Sequence, residues 1–120
     1  MGSFDIGSGD RPTSGPAPLP RAIREETARI VGNTIMVDDA SELNAGYCRQ
    51  LAEAAASRAQ AVEDGPIELI RAWQGMGSRH FFLQKGETYH DAERPDGVPE
   101  MTDLPFFSGP AHDVTVVRTW

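Results

Sequence analysis

The sequence predicts an α+β fold in which one long helix packs on a small, mainly antiparallel sheet of three to four strands. Three observations predict it. One long stretch has apolar residues at helical spacing, several short stretches are rich in β-branched and aromatic residues, and the beginning of the chain is rich in glycine and proline. A chain of 120 residues has the size of one domain. We therefore expect an N-terminal arm over residues 1–22 and a single α+β domain over residues 23–120.

The arm is predicted from residues that interrupt regular structure. Glycine dominates its first half, and Pro16 and Pro18 favour an extended, polyproline-like path in the second half. Fixing each residue costs roughly 1–2 kcal/mol of backbone freedom, and only Phe4, Ile6 and Leu19 are sizeable apolar groups that could offset this cost. The arm is therefore expected either to be a disordered tail or to lie across a partner surface.

Two helices and a short strand are predicted next. Ile23, Thr27 and Ile30 are spaced for a short helix that ends near residue 32, and residues 34–37 read as a short strand. The long helix begins at Asp39, a capping residue, and ends at Gly65-Pro66. Its apolar face is predicted to contain Leu43, Tyr47, Leu51, Ala55 and Val62.

The sheet is predicted from the C-terminal half. Residues 67–73 are ambiguous between helix and strand, and a strand is favoured because residues 75–78 would form a hairpin loop to a second strand over 79–84. Residues 113–120 are rich in β-branched side chains and predict a further strand. Phe81 and Phe82 should face opposite sides of the sheet, so that both faces need to be covered.

Residues 86–112 are predicted to be a long loop with a turn at Pro95-Asp96-Gly97. Connections of this length inside a domain are uncommon and usually functional or disordered. The loop carries Leu104, Phe106 and Phe107, which are too apolar for a solvated linker, so it should dock on some surface. The arm and this loop together supply the predicted partner-binding residues, namely Pro16, Pro18, Leu19, Leu104, Phe106 and Phe107.

The histidines give a weak indication of a metal site. His90-Asp91 and His112-Asp113 flank the long loop, and a loop that closes on itself could bring these four N and O ligands together. Metal-ligand pairs usually lie two to five residues apart on one element, and these do not. No metal and no cofactor are therefore predicted.

No catalytic residue is predicted either. Cys48 falls among Leu51, Ala52 and Ala55 on the long helix, and this setting is typical of a buried, inert thiol. A single cysteine excludes an internal disulfide and a thiolate zinc site. The sequence contains no Gly-x-Ser-x-Gly elbow and no phosphate-binding loop. The acids Glu87, Asp91 and Glu93 are expected to be solvated.

The charge pattern excludes several partners. The net charge is −7 and no segment forms a basic patch, which argues against binding of nucleic acid. No signal peptide and no apolar run of about 18 residues is present, so neither secretion through a signal peptide nor membrane insertion is predicted. A cytoplasmic or virion location is expected.

Two functions remain open from the sequence. The favoured one is a non-catalytic subunit or accessory protein of a larger assembly, such as a virion or similar particle. The arm and the 86–112 loop would contact protein partners or other copies of the chain. The alternative is a small enzyme or ligand-binding protein with its site between the sheet and the 86–112 loop.

Overall fold

A computed structural model describes residues 15–33, 39–74 and 78–120 and confirms the α+β class. Three helices pack on a five-stranded sheet with the strand order β4-β3-β2-β1-β5, in which all neighbouring strands are antiparallel. The helices are α1 Leu19–Asn33, α2 Ala40–Gly46 and α3 Cys48–Ala59. The strands are β1 Ile67–Gln74, β2 Ser78–Lys85, β3 Thr88–Asp91, β4 Arg94–Val98 and β5 His112–Thr119.

The sheet has five strands rather than three or four because residues 86–112 are not a continuous loop. They form β3, β4 and the short 3-10 helix Met101–Asp103. The predicted turn at Pro95-Asp96-Gly97 lies inside β4, where Gly97 has a φ of 92°. A Cβ at Gly97 would lie 2.6 Å from the His90 ring, so this glycine leaves the space that the imidazole fills. The predicted strand at 34–37 lies outside the described residues, as do residues 75–77 of the hairpin loop predicted over 75–78. Residue 78 is the first residue of β2.

The predicted long helix is divided into α2 and α3 by Tyr47. This residue has φ −126° and ψ 16°, and it follows Gly46, whose residue type has low helix propensity. The Leu51 N–H still bonds to the Tyr47 carbonyl, so α3 begins immediately after the break. Leu51 itself is buried, as its place on the apolar face predicts. The break makes Cys48 the first residue of a helix rather than a residue in the middle of one.

Helix α1 begins inside the segment predicted as an arm. The Leu19 N–H donates to the Glu63 carboxylate at 2.7 Å, and both Leu19 and Ala17 are buried in the core. Arg58 on α3 donates to the Gly15 carbonyl at 2.7 Å. Residues 15–22 therefore pack as part of the domain, whereas residues 1–14 lie outside the described residues.

Both faces of the sheet around β2 are covered by the chain itself. Phe81 points toward the helices, whereas Phe82 packs on the other face with Leu104 and Phe107. The apolar segment around Leu104 therefore docks on its own sheet. None of the described helices has the length and apolarity needed to cross a bilayer.

Candidate active site

Cys48 occupies the N-terminal position of α3 and is partly exposed. The first backbone N–H groups of a helix have no partner within the helix, and the helix dipole places partial positive charge at that end. Both features favour the thiolate form of a cysteine. Cys48 is less buried than its predicted place in the middle of a helix implies, because the helix does not continue through residue 47.

His80 on β2 lies beside this helix end. Strand β3 pairs with β2 only over Leu83 to Lys85. The edge of β2 near His80 therefore has no neighbouring β3 residues paired with it. The imidazole is fully buried, with Phe106 stacked on it at 4.5 Å between ring centroids and an interplanar angle of 14°. Phe106 separates the ring from solvent and leaves its polar contacts to be made within the protein.

Asp91 ends β3 and fixes the orientation of His80. One carboxylate oxygen, Oδ2, lies 2.9 Å from His80 Nε2. The other, Oδ1, accepts the backbone N–H groups of Glu93 and Arg94, each at 2.9 Å. Both side chains of the His80–Asp91 pair are almost completely buried. The turn that follows β3 therefore holds the carboxylate rigidly against one nitrogen of the imidazole.

Cys48 is the second polar side chain that interacts with the His80 imidazole. Nδ1 is buried and makes no hydrogen bond of ordinary geometry within the described part of the chain, but the imidazole interacts with the thiol of Cys48. Hydrogen bonds between catalytic groups are often long or poorly aligned before substrate binds. The imidazole thus lies between a carboxylate and a thiol.

The electrostatic interactions of Cys48 and His80 favour a thiolate on Cys48 and an imidazolium on His80. Burial alone would raise the pKa of the Cys48 thiol, but His80 and the backbone of Phe81 and Arg49 outweigh burial, so this pKa is lowered. Burial alone would lower the pKa of His80, but Asp91 and Cys48 outweigh it, so this pKa is raised. Both shifts move charge in the direction that activates a sulfur nucleophile.

A cleft of about 520 Å³ opens at Cys48. Its size is that of a small-molecule or short-peptide site. The junction of α2 and α3, strand β2 and the segment after the 3-10 helix form its walls. The lining residues are Ala45, Gly46, Tyr47, Cys48, Arg49, Gln50, Arg79, Phe81 and Phe106.

The four weak metal candidates are not brought together. His90 and Asp91 lie on β3 and His112 and Asp113 on β5, with β2 and β1 between them. His90 is held by the Pro95 carbonyl and the Thr88 hydroxyl, each at 2.9 Å, and burial lowers its pKa. Within the described ranges, no group of three His, Cys, Asp or Glu side chains is placed to hold a metal ion. Of the four, only Asp91 belongs to the candidate site.

The predicted partner-binding residues have different surroundings. Leu19, Leu104 and Phe107 are buried in the core of the chain, whereas Pro16 and Pro18 are exposed. Phe106 covers His80 and lines the cleft.

Sequence reasoning missed Cys48 and His80 because three separate elements supply the site. Asp91 was considered only as a metal ligand or a solvated acid. The available signal was Gly46 ahead of Tyr47-Cys48, since a helix that restarts after a glycine places the next residues at its N-terminus. The pairing with His80 and Asp91 had no local signal, because β2 and β3 align them only in three dimensions.

Comparison of the chain with protein-family models, with curated proteins and with solved structures found no match.

Proposed function

We propose that this protein is a cysteine-dependent acyl-transfer enzyme that cleaves an ester or amide bond through a thioester on Cys48. The observation that carries the proposal is the position of His80, whose buried imidazole bonds through Nε2 to the buried Asp91 and interacts electrostatically with the Cys48 thiol. Nucleophile, base and orienting group in this order are the arrangement used for covalent catalysis by cysteine and serine enzymes.

The first chemical step follows from this arrangement. The Cys48 thiolate attacks the substrate carbonyl carbon, and the negative charge moves to the carbonyl oxygen. Backbone N–H groups in the first turn of α3 are suitable donors to that oxygen because they lack partners within the helix. The carbon–oxygen or carbon–nitrogen bond then breaks, and the His80 imidazolium gives its proton to the leaving alcohol or amine. This transfer requires Phe106, which covers the ring and lines the cleft, to move aside. A thioester on Cys48 remains.

The second step regenerates the enzyme. Neutral His80 removes a proton from water or from an acceptor amine, which attacks the thioester carbonyl. Cys48 leaves as a thiolate, the imidazolium is restored, and a carboxylic acid or an amide is released. Asp91 keeps the imidazole in one orientation and stabilises its charged form in both steps.

Acylation by an activated ester tests the proposal directly. After incubation with p-nitrophenyl acetate, we expect intact-mass spectrometry to show one added acetyl group on Cys48, with a burst of p-nitrophenol equal to the amount of enzyme. Cys48→Ala should abolish the burst, and His80→Gln should slow it by at least about 100-fold, because it removes the base. His112→Gln is the matched control, since His112 is exposed on β5 and does not line the cleft. Acylation of Cys48 at equal rates with and without His80 would contradict the proposal.

The assembly role expected from the sequence is a second candidate, and the edge strand β5 favours it. Val114 and Val116 are 47% and 50% exposed there, and an edge strand with exposed apolar side chains is suited to pair with another chain. This surface differs from the arm and loop contacts expected from the sequence. The molecular mass of the purified protein in solution tests this candidate, because a strict monomer would exclude self-association through β5.

A further inference from the structure

We infer that the cleft selects acyl donors that carry a carboxylate next to the bond that is cleaved, and that Arg49 and Arg79 determine this selectivity. The inference rests on the proposed function, because it describes the substrate of the Cys48 site. It follows from the charge of the cleft, which is opposite to that of the whole protein. The chain has a net charge of −7, whereas the described lining of the cleft contains two arginines and no acid.

Both arginines lie close to the same aromatic ring, that of Phe81. The Arg49 guanidinium lies 5.2 Å from the centroid of the Phe81 ring, and the Arg79 guanidinium lies 5.7 Å from it. Arg79 also lies 5.9 Å from the Trp73 ring. Stacking on aromatic rings restricts a guanidinium without consuming its N–H donors. Both groups therefore remain available to an anion in the cleft.

The positive charge is only partly neutralised. Arg49 contacts Glu53 through Nε at 3.4 Å, on an exposed part of α3. Arg79 is exposed and forms no ion pair with a carboxylate among the residues that the structure describes. A guanidinium presents its donors in a planar fork that matches the two oxygens of a carboxylate. A carboxylate on the substrate is thus the natural partner for these side chains.

The lining of the cleft places this charge near the nucleophile. Arg49 and Arg79 line the same cleft as Cys48. A carboxylate bound by either arginine would lie in the same cleft as the carbonyl under attack. The substrate class is therefore an ester or amide with a carboxylate close to the scissile bond, such as a peptide bond beside an acidic side chain.

Two alkylating reagents of nearly equal size test this inference. Iodoacetate carries a carboxylate and iodoacetamide is neutral, and Cys48 is the only cysteine, so each rate reports on one site. We expect the iodoacetate-to-iodoacetamide rate ratio at Cys48 to exceed that of 2-mercaptoethanol by about tenfold or more. The excess should shrink as ionic strength rises, because salt screens the arginines.

Arginine variants show which side chains cause the preference for iodoacetate. Arg79→Gln and Arg49→Gln should each lower the rate ratio at least about threefold. Arg118→Gln is the matched control, because Arg118 is an exposed arginine stacked on Trp120 at 4.5 Å and does not line the cleft. Both cleft arginines are exposed, so their replacement should leave the far-UV circular dichroism spectrum unchanged.

The outcomes separate this inference from the proposed function. A Cys48 that is highly reactive toward iodoacetamide, but has the same rate ratio as 2-mercaptoethanol, would overturn the carboxylate selectivity and leave the acyl-transfer proposal standing. A raised ratio that persists in both cleft variants would also overturn the role of the arginines. A Cys48 that reacts with both reagents no faster than 2-mercaptoethanol at neutral pH would overturn the acyl-transfer proposal and the selectivity together.

Discussion

At the scale of single residues, the chemistry depends on which nitrogen of His80 carries the proton. A carboxylate only accepts hydrogen bonds, so Asp91 requires a proton on the Nε2 that it contacts. Neutral His80 then has a free lone pair on Nδ1, the atom available to the Cys48 thiol. Asp91 is itself fixed, because Oδ1 is occupied by two backbone N–H groups. The carboxylate therefore sets the tautomer of the base.

Replacing Asp91 with asparagine tests whether the carboxylate sets the tautomer of His80, because the two side chains have nearly the same shape. The N–H groups of Glu93 and Arg94 should hold the new amide oxygen where Oδ1 lies, which turns the amide nitrogen toward His80. Nε2 must then accept a hydrogen bond, the proton moves to Nδ1, and the base toward Cys48 is lost. We expect Asp91→Asn to slow acylation of Cys48 by about 10²–10⁴-fold, measured as the p-nitrophenol burst rate.

Asp96→Asn is the matched control for the loss of one carboxylate. Asp96 is an exposed acid on β4 that pairs with Arg24 at 2.5 Å and does not line the cleft. It should leave the burst rate unchanged. An Asp91→Asn protein that is folded and acylates at the normal rate would show that Asp91 does not control His80.

At the scale of elements, the junction of α2 and α3 creates the site. Side-chain spacing is the same on both sides of Tyr47, so apolar periodicity predicted a single helix. Whether a helix continues or restarts after Gly46 depends on tertiary contacts, which the pattern does not contain. The same limit applies to β3 and β4, which are short and hold His90, Gly97 and turn residues rather than β-branched runs. The sequence pattern therefore predicted the main strands but not β3 and β4. Of these two, β3 carries Asp91.

The start of α1 allows a test of where the arm ends, because the first residues of this helix were predicted to belong to the arm. Leu19 is fully buried, and deletion of residues 2–19 removes it together with Ala17 and the carbonyl that Arg58 binds. Loss of a buried leucine side chain typically costs about 2–5 kcal/mol. We expect this deletion to be less stable by at least that amount than a deletion of residues 2–14, which keeps every one of these contacts. Denaturant unfolding of both proteins measures the difference, and equal midpoints would mean that the arm does extend through residue 19.

At the scale of the whole molecule, the fold brings three residues that are distant in the sequence together in the candidate site. The α+β class, the main antiparallel strands and the buried face with Leu51 follow from periodicity and β propensity. The active-site geometry does not, because Cys48, His80 and Asp91 have no fixed spacing that a sequence pattern could reveal. Only the register of the sheet and the packing of α3 against β2 bring them together.

The pH dependence of Cys48 alkylation by iodoacetamide tests the central claim most directly. The rate follows the thiolate fraction, so it rises as pH increases through the pKa of the thiol. Because this pKa is lowered, we expect the midpoint below that of an unperturbed cysteine thiol. In His80→Gln, burial remains and the imidazolium is gone, so the midpoint should move upward, to the ordinary value or above it. His112→Gln should leave it unchanged. A wild-type midpoint at or above about 8.5, or one that His80→Gln does not move, would contradict a Cys48–His80–Asp91 active site.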